Sequence, residues 1–138
     1  MENPCAKLVD QIIEQTIAIQ QIPSPTFEEA DLARYVKKRF EQEGFCDVFI
    51  DSVNNVYARI KGGKSSPVVV SAHLDTVFDK SCGLTVKRED NKIYGPGIGD
   101  NSLGVACLVM MNFIQHIFRF QSLTCTSFFR SLLNATFC

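Results

Sequence analysis

The sequence predicts an α/β fold in which helices pack on a mixed, mostly parallel sheet. Three observations predict it. Two amphipathic helical stretches come first, short runs of β-branched and aromatic residues follow, and the run Val68, Val69, Val70, Ser71, Ala72 carries no charge. An uncharged run of this kind fits a strand buried on both faces, as strands of parallel sheets are. The order helix, helix, strand, strand, strand, hairpin, helix then suits helices laid on one sheet.

From Ala6 to about Gln20, Leu8, Val9, Ile12, Ile13, Ile17 and Ile19 recur at spacings of three and four, the pattern of a helix with one apolar face. Pro23 and Pro25 stop it. Thr26 and Glu29 form a capping-box pair for a second helix from Phe27 to about Glu43, with Leu32, Ala33, Val36 and Phe40 inward and Gly44 as C-terminal cap. Strands are expected at Cys46–Ile50 and Val56–Ile60, the second with Val56, Ala58 and Ile60 on one face and with turns at Asn54-Asn55 and Gly62-Gly63. After the uncharged strand, Leu84–Arg88 and Lys92–Tyr94 make a hairpin through Asp90-Asn91. A largely buried helix is expected from Ser102 to about Phe118.

A chain of 138 residues is long enough for one domain with a core of its own. Its net charge of −1 suggests no polyanion, so no nucleic-acid partner is expected. The first residues carry Glu2 and Asp10 and lack a basic n-region, which is not the pattern of a secretory leader. The apolar stretch at 102–118 is too short and too polar for a membrane span. The expected location is cytoplasmic, away from membranes. The six cysteines are scattered without a C-x-x-C pair and are read as reduced thiols.

The chemistry gathers in two loops. His73 and Asp75 follow the uncharged strand, where α/β proteins keep their ligands, and residues two apart on extended chain point the same way. The Asp75 carboxylate is therefore expected to reach one imidazole nitrogen while the other faces outward, the form of a metal ligand with its orienting partner. The second loop, Gly95-Pro96-Gly97-Ile98-Gly99-Asp100-Asn101-Ser102-Leu103-Gly104, turns tightly and presents Asp100 just before an apolar helix. Each residue has a plainer reading: His73 as a hydrogen-bonded structural histidine, Asp100 as a helix cap. His116 on the apolar helix is read as structural. The glycines fail the G-x-G-x-x-G dinucleotide fingerprint, with Asp100 where the third glycine belongs, and no P-loop lysine follows. A serine or cysteine nucleophile finds no base other than His116.

Taken together, His73-x-Asp75-Thr76-Val77 after a valine-rich strand and Gly95-x-Gly97-x-x-Asp100-Asn101-x-x-Gly104 resemble the first half of the catalytic domain of the M20 metallopeptidases. Ile22 to Glu29 resembles a segment near the start of such enzymes, and the likeness covers roughly Ala6 to Met111. It implies a zinc-peptidase-like domain and hydrolysis of peptide or N-acyl amino-acid substrates at a dinuclear zinc centre, with cobalt as an alternative metal. His73 would ligate one ion, Asp100 would bridge both, and Asp75 would steer the imidazole and count as catalytic. The family also needs a pair of glutamates, a further acid and a late histidine. This chain has no acidic residue after Asp100 and no histidine after His116. Residues 1–118 are therefore expected to be the N-terminal part of the domain. Residues 119–138 carry a cluster of phenylalanines without clean periodicity, and are expected to be an atypical, truncated or misread end. A sheet cut short leaves an open edge, so self-association is expected. The rival readings are an inactive truncated product with part of the metal site, and a small α/β binding module.

Overall fold

The computed structural model describes residues 4–62, 68–118 and 125–129. Helix α1 spans Pro4–Gln20, starting earlier than Ala6 because proline is tolerated in the first helical turn. Leu8 and Ile19 are buried while Val9 is 54% exposed, so the inward stripe is narrower than the apolar spacing suggests. Gln15 Nε2 donates to the Tyr35 hydroxyl at 2.9 Å, tying α1 to helix α2, Ala30–Gln42. Leu32, Ala33, Val36 and Phe40 are buried on α2 as expected. Its start is a correction. The Thr26–Glu29 capping box does not form, Glu29 stands at the cap position without a side-chain cap bond, and the Thr26 hydroxyl donates to Asp75 instead. Gly44, with φ +77, supplies the left-handed residue that ends the helix.

Strands β1 (Cys46–Ile50) and β2 (Val56–Ile60) form an antiparallel hairpin. Its turn is built on one carboxylate: Asp51 accepts the main-chain N–H groups of Val53 and Asn55, the Asn55 amide and the Tyr57 hydroxyl, at 2.8–3.2 Å. Val56, Ala58 and Ile60 face the core at 5% exposure or less. Strand β3 is Val68–Ala72, followed by the small hairpin β4 (Lys87–Glu89) and β5 (Lys92–Tyr94). After a wide turn at Ile98–Ser102 come helices α3 (Leu103–Val109) and α4 (Met111–Phe118), then strand β6 (Cys125–Phe129). The single helix expected over 102–118 is thus two, broken at Met110. The Asn112 side chain donates to the Glu43 carbonyl at 2.6 Å and draws the start of α4 to the end of α2.

The four-stranded sheet has the order β1-β2-β6-β3, with α2 packed on β1 and β2 and α3 on β3. It is mixed, as expected, but parallel pairing is confined to the β3–β6 junction. β1 and β2 are joined by a turn too short for a parallel crossover, and β6 runs antiparallel to β2. The expectation that β3 is buried on both faces is also corrected. Val68 is 45% and Val69 63% exposed, because β3 is the edge of the described sheet with β6 as its one neighbour. Of the stretch 119–138, residues 125–129 pair into the sheet, while 119–124 and 130–138 lie outside the described residues. Among the described residues, Cys46, Cys82 and Cys107 are free thiols, and no helix is long and apolar enough to cross a membrane.

Candidate metal centre

β3 ends at Ala72 and delivers the chain to the first loop. Leu74, 4% exposed, anchors the loop in the core, and extended backbone then turns its neighbours His73 and Asp75 the other way. A second segment is zipped along this loop. The Ser24 hydroxyl donates to the Leu74 carbonyl at 2.9 Å, the Thr76 N–H donates to the Ser24 carbonyl at 2.9 Å, and Pro25 and Thr76 form a parallel bridge. This register brings Thr26 Oγ1 to Asp75 Oδ2 at 2.9 Å.

The glycine loop arrives from the other side. Gly97 has φ +68, a conformation that glycine adopts at least cost, and the Ser102 N–H closes a wide turn on the Gly97 carbonyl at 3.2 Å. Asp100 has extended dihedrals within that turn, and the Asp100–Asn101 peptide bond is cis. Gln20, buried at the end of α1, donates to the Pro96 carbonyl at 3.0 Å and holds the loop against the helix.

The two loops meet at His73. Its Nε2 lies 2.9 Å from Asp100 Oδ1, and its Nδ1 lies 2.9 Å from the main-chain carbonyl of Asp75. The expected partner of Nδ1, the Asp75 carboxylate, stands 3.3 Å away at Oδ1 without making a hydrogen bond, while its other oxygen accepts from Thr26. The orienting group is therefore the carbonyl of the same residue. A carbonyl can only accept, so Nδ1 carries a proton, and Nε2 is left facing a carboxylate. Two acceptors do not sit 2.9 Å apart unless a positive charge lies between them. Burial disfavours a charged imidazole, but the hydrogen bond with Asp100, the Asp75 carbonyl and the two carboxylate charges outweigh it and raise the His73 pKa above its ordinary value.

A proton can fill that gap, and so can a metal ion. Tetrahedral zinc bonds of about 2.0–2.1 Å set two donor atoms about 3.3 Å apart, so the pair would open by only a few tenths of an ångström. Imidazole nitrogen and carboxylate oxygen suit zinc in kind, and the Asp100 side chain, 91% exposed, leaves an approach from solvent. In number they supply only two donors. Among the described residues, no group of three histidine, cysteine or acidic side chains gathers to hold an ion. The pair opens on a hollow of about 320 Å³, lined also by Asp75, Thr76, Val77, Phe78 and Gly97. His116 is exposed on α4.

Sequence reasoning missed Thr26, Ser24 and Gln20. Thr26 and Ser24 lie in Ile22–Glu29, the segment that resembled the start of M20 enzymes, and that resemblance was the available signal. Gln20 carried none beyond being a polar residue at the end of an apolar helix.

The model of peptidase family M28 matches residues 55–121, a span that includes both loops. A Mycobacterium tuberculosis protein assigned as the succinyl-diaminopimelate desuccinylase DapE is 35% identical over 94 residues, 68% of this chain and 26% of that protein. The chain thus spans about a quarter of the length of the curated relatives it matches. Among solved structures, aminopeptidase PepT of Bacillus cereus superposes with a TM-score of 0.72 at 19% identity, over 87% of this chain and 35% of that one. YXEP of Bacillus subtilis, described as a dinuclear metal-binding peptidase of the M20 family, gives 0.62 at 17% identity, over 90% of this chain and 35% of that one. At these identities the two structures speak for the fold. The matching family model is M28, whereas the motif spacing at 73–75 and 95–104 is of the M20 kind, and both point to metal-dependent peptidases. This chain is thus similar to part of the catalytic region of M20-type metallopeptidases, with the fold of such domains.

Proposed function

We propose that this chain supplies one side of a dinuclear zinc centre in an M20-type hydrolase that cleaves peptide or N-acyl amide bonds. His73 and Asp100 would hold the metal, with Asp100 shared between the two ions, and Asp75 would orient the imidazole. Bound there, zinc supplies a Lewis acid that polarises a substrate carbonyl. One observation carries the reading: with Nδ1 committed to a carbonyl, Nε2 and a carboxylate oxygen face each other across 2.9 Å. The hollow beside them gives an extended acyl or peptidyl group access to that point.

A second reading concerns the 138 residues by themselves. The sequence has no acidic residue after Asp100 and no histidine after His116, and two protein donors hold zinc weakly compared with three or four. On this reading the isolated chain binds one ion weakly and hydrolyses nothing. Calorimetric titration of the metal-free chain with zinc, alongside an amidase assay on N-acyl amino acids and small peptides, separates the two. Weak uptake of one ion, lost in both His73→Ala and Asp100→Ala, supports the pair as ligands in an incomplete centre. Tight uptake of two ions with amidase activity supports a complete centre, and uptake unaffected by either substitution overturns both readings.

A further inference from the structure

We propose that Thr26 is a positioning residue of this centre. Its hydroxyl pins the Asp75 carboxylate, so that the Asp75 carbonyl holds Nδ1 of His73 and Nε2 stays aimed at Asp100. The inference rests on the reading of His73 and Asp100 as ligands and extends it to a segment about fifty residues earlier in the chain.

Three observations converge on it. First, Thr26 stands where a helix cap is expected, three residues before Glu29, yet its hydroxyl is 2.9 Å from Asp75 Oδ2 and α2 begins without a side-chain cap. Local helix chemistry is given up for a contact with a distant carboxylate, and Phe27 takes a left-handed φ of +74 as the chain swings back to α2. Second, the other oxygen of that carboxylate is buried, lacks a hydrogen-bond partner and lies 3.3 Å from His73 Nδ1. A small rotation about the Asp75 side chain would bring it into hydrogen-bond range of the Nδ1 proton. A charged acceptor outcompetes a carbonyl, so the imidazole would swing with it. The bond from Thr26 opposes that rotation. Third, the position of the hydroxyl is set by main chain. The Ser24–Leu74 and Thr76–Ser24 bonds and the Pro25–Thr76 bridge fix the register in which Thr26 lies beside Asp75.

Thr26 is exposed, so replacing it leaves the core untouched. The test compares the full chain with Thr26→Val, which keeps the shape and removes the hydroxyl, and Thr26→Ser, which keeps the hydroxyl. Long-range proton–nitrogen NMR of the ¹⁵N-labelled, metal-free proteins reads the His73 ring, assigned from the spectrum of His73→Ala. We expect the Nδ1 resonances to move in Thr26→Val and to return to the wild-type position in Thr26→Ser. In zinc titrations of the same proteins, Thr26→Val weakens binding about tenfold, the low end of the cost of losing a partner that orients a ligand, while Thr26→Ser stays near wild type. Ser24→Ala loosens the same segment but leaves the Thr26 hydroxyl in place. An effect of Ser24→Ala equal to that of Thr26→Val would assign the role to the segment as a whole and overturn the proposal for the hydroxyl. An unchanged His73 spectrum in Thr26→Val overturns it outright. If wild type takes up no zinc, the ligand reading fails, and the NMR comparison alone still decides the role of Thr26 toward the imidazole.

Discussion

Replacing Gly104 with alanine should leave the protein folded and damage the proposed metal centre, and the opposed terms can be weighed. Gly104 lies in the first turn of α3, where alanine gains up to about 1 kcal/mol over glycine. A Cβ added there would collide with Asn101 Oδ1 and stand 3.0 Å from Asn101 Cγ, so the Asn101 side chain must leave its place. Forcing it off its rotamer costs about 0.5–1.5 kcal/mol. Its bond from Nδ2 to the His73 carbonyl is long, 3.5 Å, and adds about 0.5 kcal/mol at most. The net destabilisation is therefore about 0–1 kcal/mol, a fall in Tm of at most about 4 °C. Asn101 adjoins Asp100 and touches the loop that carries His73, so zinc affinity should fall about tenfold all the same. The assay pairs thermal melts with zinc titrations across a cycle of Gly104→Ala, Asn101→Ala and the double variant. In the Asn101→Ala background nothing blocks the new methyl group, so Gly104→Ala should become stabilising, a coupling of about 1–2 kcal/mol. Additive effects, or unchanged zinc affinity in Gly104→Ala, would refute the idea that Asn101 braces the two loops. A loss above about 3 kcal/mol would mean that the start of α3 itself had failed.

Asp51→Ala should cost about 1–2 kcal/mol in urea denaturation, since one carboxylate organises the β1–β2 turn through four donors near the surface. Burial acts to raise the Asp51 pKa, but the bonds from Asn55, Val53 and Tyr57 outweigh it and lower it below the ordinary value. Its contribution is therefore full above the unfolded-state pKa and lost as pH falls through the folded one. The Asp51→Ala variant should lack that part of the acid dependence, and matching pH–stability curves would refute the assignment. Ending the chain after Phe118 removes a strand with four paired positions on β2 and five on β3. At about 0.5–1.5 kcal/mol per ladder bond, the loss is on the order of the whole stability of a domain this size. Circular dichroism of the shortened chain should show no cooperative melt, whereas a sharp transition near the wild-type Tm would mean that β6 contributes little.

Much of this arrangement could be read from residue order because periodicity reports burial directly. Leu32, Ala33, Val36 and Phe40 recur at helical spacing and are all buried, and Val56, Ala58 and Ile60 alternate and line the core. The meeting of His73 with Asp100 was legible for a different reason: a strand end and a glycine-rich turn before a helix belong at the same rim of an α/β sheet. What escaped depends on partners distant in sequence. Val68 and Val69 are as apolar as a central strand requires, but their neighbour is a segment near the other end of the chain, and only that pairing makes β3 an edge. Thr26 carries a correct local cap signal that Asp75 overrides. The break at Met110 goes with a bond from Asn112 to the Glu43 carbonyl, a contact that no local spacing announces.

The position of β6 has a consequence for biosynthesis. It is the last described strand to leave the ribosome, yet it belongs between two strands made much earlier. Until Phe129 has emerged, a nascent chain presents two open ladders, one on β2 and one on β3, and either can recruit a stray strand from another polypeptide. Closure of this sheet thus waits on β6 by topology, and exposure of the two ladders lasts at least as long as synthesis of the segment between β3 and β6.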